Sequence, residues 1–147
     1  CVAEVAALGP DWLQLHGPET PHRVEAIRAE AGVEIMKALP IGSPEDVDAV
    51  AEFVDIADRI LLDAKPPKSA DRPGGHGETF DWSLVKALDP QVSFMLSGGL
   101  TPDNVAAAIA ATRPFGVDVS SGVESAPGVK DARLIEAFIR NARAAVA

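Results

Sequence analysis

The residues predict an α/β protein built on a parallel sheet. Two regularities carry that expectation. Short apolar runs alternate with longer stretches of helical periodicity along the chain, and several runs are near-continuously apolar, as strands of a covered parallel sheet are. Three helical stretches also open alike, at Thr20-Pro21, Ser43-Pro44 and Thr101-Pro102. A hydroxyl at the N-cap followed by proline at the first helical position is a helix-start signal. Its recurrence after a strand and a turn marks a supersecondary repeat.

Taken in order, Val2 to Leu8 reads as the back half of a helix, stopped by Gly9-Pro10. With Cys rather than Met at position 1, the sequence is expected to begin inside an element, as a fragment. Strands are predicted at Trp12–Leu15, Val33–Leu39, Arg59–Leu62, Val92–Leu96 and Gly116–Val119. Helices are predicted over 21–31, 44–57, 81–88, 102–111 and 131–146. The second shows an apolar face at Val47, Val50, Ala51 and Val54, and the last at Leu134, Ile135, Phe138, Ile139 and Ala142. Glu45, Asp46 and Asp103 sit in first turns, where carboxylates complement the helix dipole. Five βα units in series require a parallel sheet by the crossover rule. A doubly wound open sheet and a segment of a (βα)8 barrel both fit. A full barrel takes ~250 residues, so the 147 present would hold about five of its eight units, in one domain spanning 1–147.

Composition narrows the function. A formal net charge of −9 with no basic stretch argues against nucleic acid or an anionic membrane surface as partner. The single cysteine forms no internal disulfide and fits a reducing compartment, the cytoplasm. No apolar run approaches the ~18 residues of a membrane span. The three histidines and one cysteine show no metal-ligand spacing, and no cofactor is implied.

The candidate chemistry collects at strand ends. Ile60-Leu61-Leu62-Asp63 is an apolar run delivering a carboxylate, followed by a Pro/Gly/Lys segment from Pro66 to Gly77. Asp63 reads equally as a cap or salt-bridge partner of Lys65 and as a general acid whose pKa apolar neighbours would raise. Ser97-Gly98-Gly99-Leu100 and Ser120-Ser121-Gly122 follow the last two strands. Glycines let backbone approach a ligand, and consecutive N–H groups form an anion nest, so Gly98, Gly99, Ser120, Ser121 and Gly122 are expected to bind phosphate. His16, at the end of the first strand, is expected to line the pocket. Lys37, a costly charge within a strand, is expected to line the substrate pocket, as lysines inside a barrel do near its mouth. Asp118 must point opposite to Val117 and Val119, to a face that one strand does not identify. His76 is expected to face solvent.

Gln14-Leu15-His16-Gly17, Leu61-Leu62-Asp63-Ala64-Lys65, Gly74-Gly75-His76-Gly77 with Thr79-Phe80-Asp81-Trp82, Leu96-Ser97-Gly98-Gly99-Leu100 and Asp118-Val119-Ser120-Ser121-Gly122-Val123-Glu124 occur in that order. Together they resemble the phosphoribosylanthranilate isomerases of tryptophan biosynthesis. The likeness runs from about Asp11 to the C-terminus and includes Pro127-Gly128-Val129-Lys130-Asp131, which is expected to open the last helix. The resemblance implies a (βα)8 TIM barrel and an Amadori rearrangement of an aminoaldose phosphate. A general acid protonates the furanose ring oxygen, the ring opens to a Schiff base, and a base removes the C2′ proton. It implies Asp63 as that acid, the two glycine-rich loops as the phosphate grip, Asp118 near the sugar, and the Pro66–Gly77 segment as a closing loop.

The family's general base is a cysteine in a Lys-hydrophobic-Cys-Gly strand. Cys1 is followed by Val2 and lies about ten residues before the first predicted strand, so the base role does not transfer to it. The resemblance therefore implies the last five βα units of the barrel. Open sheet edges then predict self-association, poor solubility and no activity of this chain alone. The alternative is a non-catalytic phosphate-binding half-barrel that assembles with another chain.

Overall fold

In the computed structural model the described residues are 2–64 and 81–146. A helix, α1 (Val2–Leu8), ends at Gly9 in the left-handed region, φ 58°, whose N–H reaches the Val5 carbonyl. Five parallel strands follow: β1 (Trp12–Leu15), β2 (Glu34–Ile41), β3 (Arg59–Ala64), β4 (Phe94–Leu96) and β5 (Gly116–Val117). Their order across the sheet is 1-2-3-4-5. A doubly wound sheet reverses its strand order partway. Among the described residues this sheet does not, and so departs from a doubly wound order.

The helices α2 (Pro21–Ala31), α3 (Pro44–Asp48), α4 (Val105–Thr112) and α5 (Ala132–Ala144) accompany the sheet. Alternation sorts the strand residues onto two faces. Leu15, Ile35, Leu39, Ile41, Ile60, Leu62, Phe94 and Leu96 belong to one buried cluster with Val24, Val50, Val105 and Phe138 from the helical segments. The opposite face carries Met36, Ala38, Arg59, Leu61, Asp63 and Met95, by the same alternation. Asp58 ties β2 to the helix layer: its carboxylate accepts from the Ile35 N–H at 2.9 Å and pairs with the Arg28 guanidinium.

Several predicted elements need correction. The helix over 44–57 is α3 followed by a 3-10 turn at Ala49–Glu52, and the one over 81–88 is a 3-10 helix, Trp82–Ala87. Thr20 and Ser43 cap as expected, accepting from the N–H groups of Arg23 and Asp46. Thr101 does not cap its helix. α4 begins at Val105, because the Asn104 carboxamide turns back, accepting from the Thr101 N–H at 2.8 Å and donating to the Gly99 carbonyl at 2.9 Å. Residues 124–130 form a hairpin, β6 (Glu124–Ala126) with β7 (Val129–Lys130), turned at Gly128 with φ 79°. Asp131 caps α5, accepting from Arg133 and Leu134. On α5 Leu134, Phe138 and Ala142 pack inward, while Ile135 and Ile139 are exposed.

Candidate functional site

The site lies at the C-terminal ends of β3, β4 and β5. Asp63 stands one residue before the end of β3, in register with Pro40 of β2, on the face opposite the helix-side cluster. Ser97 follows β4, and its N–H continues the ladder onto the Leu62 carbonyl at 2.8 Å, which sets it beside Asp63. Asp118 follows β5 and donates its N–H to the Leu96 carbonyl at 2.8 Å. Val117 and Val119 pack against the helix-side core, so the Asp118 carboxylate turns the other way, onto the face of Asp63. There it accepts the Ser97 hydroxyl at 3.0 Å. Asp63, Ser97 and Asp118 are thus brought together on one face at one end of consecutive strands.

The two glycine-rich loops border these residues. Gly98 and Gly99 both take positive φ, 85° and 64°, a conformation side chains resist. Among the described residues none accepts from the N–H of either. Gly122, on the other loop, is constrained by space: a Cβ there would lie 1.8 Å from the Leu100 carbonyl oxygen. The loops therefore touch backbone to backbone. Asn104 braces the first from within, and Asn141 of α5 donates to the Pro102 carbonyl at 2.8 Å.

The second loop has a brace the sequence reading missed. The Lys130 ammonium donates to the Ser120 carbonyl at 2.9 Å, the Ser120 hydroxyl oxygen at 3.1 Å and the Glu124 carboxylate at 2.7 Å. Glu124 and Lys130 are cross-strand partners in the hairpin. Lys130, then the Gly128 N–H, hold the Glu124 carboxyl below the ordinary carboxylate range. The signal available beforehand was the pair itself: an acid and a base flanking Pro127-Gly128, a turn dipeptide.

His16 lies exposed just past β1, on the face of Trp12 and Gln14 by alternation. Lys37 does not join it. It shares the parity of Ile35, Leu39 and Ile41, is 2% exposed, and donates to the Gly17 carbonyl at 2.8 Å and Glu19 at 2.9 Å. The placement at the mouth is corrected accordingly: the lysine sits on the helix side, tethering the loop after β1. Burial pushes the Glu19 carboxyl up, but Lys37 and the backbone N–H groups of Glu19 and Gly17 outweigh it and hold it below its ordinary value. Lys65, His76 and the Pro66–Gly77 closing loop lie outside the described residues. A cavity of about 410 Å³ at the opposite end of β3 and β4, lined by Asp55, Asp58 and Asp89, is remote from these groups.

Comparison with known proteins identifies the family. A family model, N-(5′-phosphoribosyl)anthranilate (PRA) isomerase, matches residues 1–141. The N-(5′-phosphoribosyl)anthranilate isomerase of Mesorhizobium japonicum is 53% identical over 141 residues, 96% of this chain and 64% of the relative. The crystal structure of phosphoribosyl anthranilate isomerase from Thermotoga maritima superposes with a TM-score of 0.80 at 38% identity, covering 97% of this chain and 67% of that one. A phosphoribosyl anthranilate isomerase in complex with reduced 1-(o-carboxyphenylamino)-1-deoxyribulose 5-phosphate gives 0.76 at 34%, over 97% and 65%. This chain spans 64% of the length of the Mesorhizobium relative. No described helix is long and apolar enough to cross a membrane. On the family match and the identity to these relatives, the chain belongs to the N-(5′-phosphoribosyl)anthranilate isomerase family.

Proposed function

We propose that this chain supplies the general acid and the phosphate grip of a PRA isomerase. That enzyme converts N-(5-phosphoribosyl)anthranilate to 1-(2-carboxyphenylamino)-1-deoxyribulose 5-phosphate in tryptophan biosynthesis, in the cytoplasm. The observation that carries the reading is the convergence of Asp63, Ser97 and Asp118 beside two glycine-rich loops joined at Gly122 and Leu100. In the same reading residues 1–147 form one partial (βα)8 unit, which the unreversed strand order supports. The substrate class is a phosphorylated small molecule, and the named complex of a relative with a deoxyribulose phosphate supports it.

Asp63 protonates the furanose ring oxygen, at the moment the C1′–O bond breaks and the anilino nitrogen lone pair forms the Schiff base. Loss of the C2′ proton to a base then gives the enolamine, which tautomerises to the ketose. The chain's own contribution is positional. Backbone N–H groups at Gly98, Gly99 and Ser120–Gly122 fix the phosphate, Asp118 lies toward the sugar hydroxyls, and the ring oxygen falls to Asp63. His16 lines the same mouth from β1.

Asp63→Asn in the full natural protein tests the assignment. Turnover should fall by about 10²–10⁴, the usual worth of a positioned acid, with inorganic phosphate still bound. Surviving turnover would remove Asp63 from the role.

A further inference from the structure

From the Lys130 contacts we propose that Lys130 is a positioning residue that makes the Ser120 hydroxyl an obligate donor to the bound anion. The inference rests on the phosphate-binding reading of the Ser120 loop. An ammonium donates and never accepts. Its contact with Ser120 Oγ, at 3.1 Å, therefore consumes an oxygen lone pair and leaves the hydroxyl proton for another partner. The same ammonium holds the Ser120 carbonyl at 2.9 Å, so backbone and side chain of one residue are fixed by one cation. Ser120 is exposed, so that solvent or a ligand can reach its hydroxyl. Phosphate oxygens at neutral pH are chiefly acceptors, and a hydroxyl so polarised suits them. Glu124, at 2.7 Å, also anchors the ammonium and offsets its charge. Lys130 thus acts through Ser120 and needs no contact with the ligand.

Inorganic phosphate binding, read by calorimetry on the full natural protein, tests this through a double-mutant cycle. Lys130→Met should weaken phosphate by roughly tenfold or more, the worth of a charge-assisted hydrogen bond, and Ser120→Ala by a similar factor. The loss from Lys130→Met should largely vanish when Ser120 is already alanine, whereas a general structural brace would weaken binding in both backgrounds. Lys130→Arg should restore most of the affinity, and in turnover the Lys130→Met loss should fall on KM more than on kcat. Should the methionine variant not fold, Lys130→Leu, which likewise has no donor, replaces it in the cycle with the same expectation. A full Lys130→Met effect in the Ser120→Ala background, or none in the parent while Ser120→Ala weakens phosphate, would overturn the proposal. If Ser120→Ala and Gly122→Ala both leave phosphate affinity intact, the phosphate reading falls, and this proposal with it.

Discussion

Gly122 lies so close to Leu100 that a methyl group on it would overlap the Leu100 carbonyl oxygen, 1.8 Å away. The obstacle is backbone, which cannot swing aside as a side-chain tip can. Gly122→Ala should therefore separate the two loops and weaken phosphate binding by about tenfold or more, at a stability cost of about 1–3 kcal/mol for the forced shift. Calorimetric titration with phosphate, alongside thermal unfolding, distinguishes the two effects. An alanine variant with unchanged affinity would mean that the loops act independently.

Glu19 offsets a buried cation. Removing one partner of such a pair costs about 3–5 kcal/mol. Glu19→Ala should fall at the low end, about 3 kcal/mol, because Glu19 is partly solvated and the Gly17 carbonyl still holds Lys37. Adding Lys37→Met should recover part of the loss, since the unpaired charge is then gone. Urea unfolding of the single and double variants measures both.

Acid should destabilise the fold through the same groups. The Glu19 and Glu124 carboxyls titrate below the 4.5 of a free glutamate. A carboxyl whose pKa is depressed by folding contributes stability that is fully present above its unfolded value and lost as pH falls through its folded one. The melting temperature should hold down to about pH 5 and drop below 4.5, and Glu19→Gln should flatten part of that drop. Circular dichroism melts from pH 7 to pH 3 test it.

Arg59 sits on the face opposite the helix-side cluster with its guanidinium 3.9 Å from the Phe115 ring centroid and 5.7 Å from that of Trp12. It reaches aromatic residues from β1 and from just before β5. Arg59→Ala should cost about 1 kcal/mol, as partly exposed cation–π contacts do, and Arg59→Lys less. Denaturant unfolding followed by tryptophan emission is the measurement, and an unchanged midpoint would show the stack to be energetically idle.

The parts legible in the sequence are those with a local cause. Thr20 and Ser43 cap because hydroxyl and proline act on the residues beside them. Gly98 and Gly99 stand out because little else adopts their backbone angles. Asp63 falls at a strand end because an apolar run carries it there. The face of Lys37 is not legible for lack of contrast: Met36 and Ala38 are apolar like Ile35 and Leu39, so alternation names no face. Thr101 resembled the other two caps, and only the carboxamide three residues later, reaching back to its N–H, displaced the helix start. The approach of Gly122 to Leu100 joins residues 22 apart, and no local pattern announces it. On α5 a broad apolar stripe concealed that only Leu134, Phe138 and Ala142 meet the core.

The Ser97–Asp118 hydrogen bond also bears on which way round a ligand can lie. An ionised carboxylate only accepts, so Ser97 spends its proton on Asp118 and can offer a ligand only lone pairs. Under the proposed function, lone pairs there would disfavour a phosphate and suit a sugar hydroxyl with a proton to give. The substrate's orientation would then follow from the proton of one buried serine, spent inside the protein before a ligand arrives.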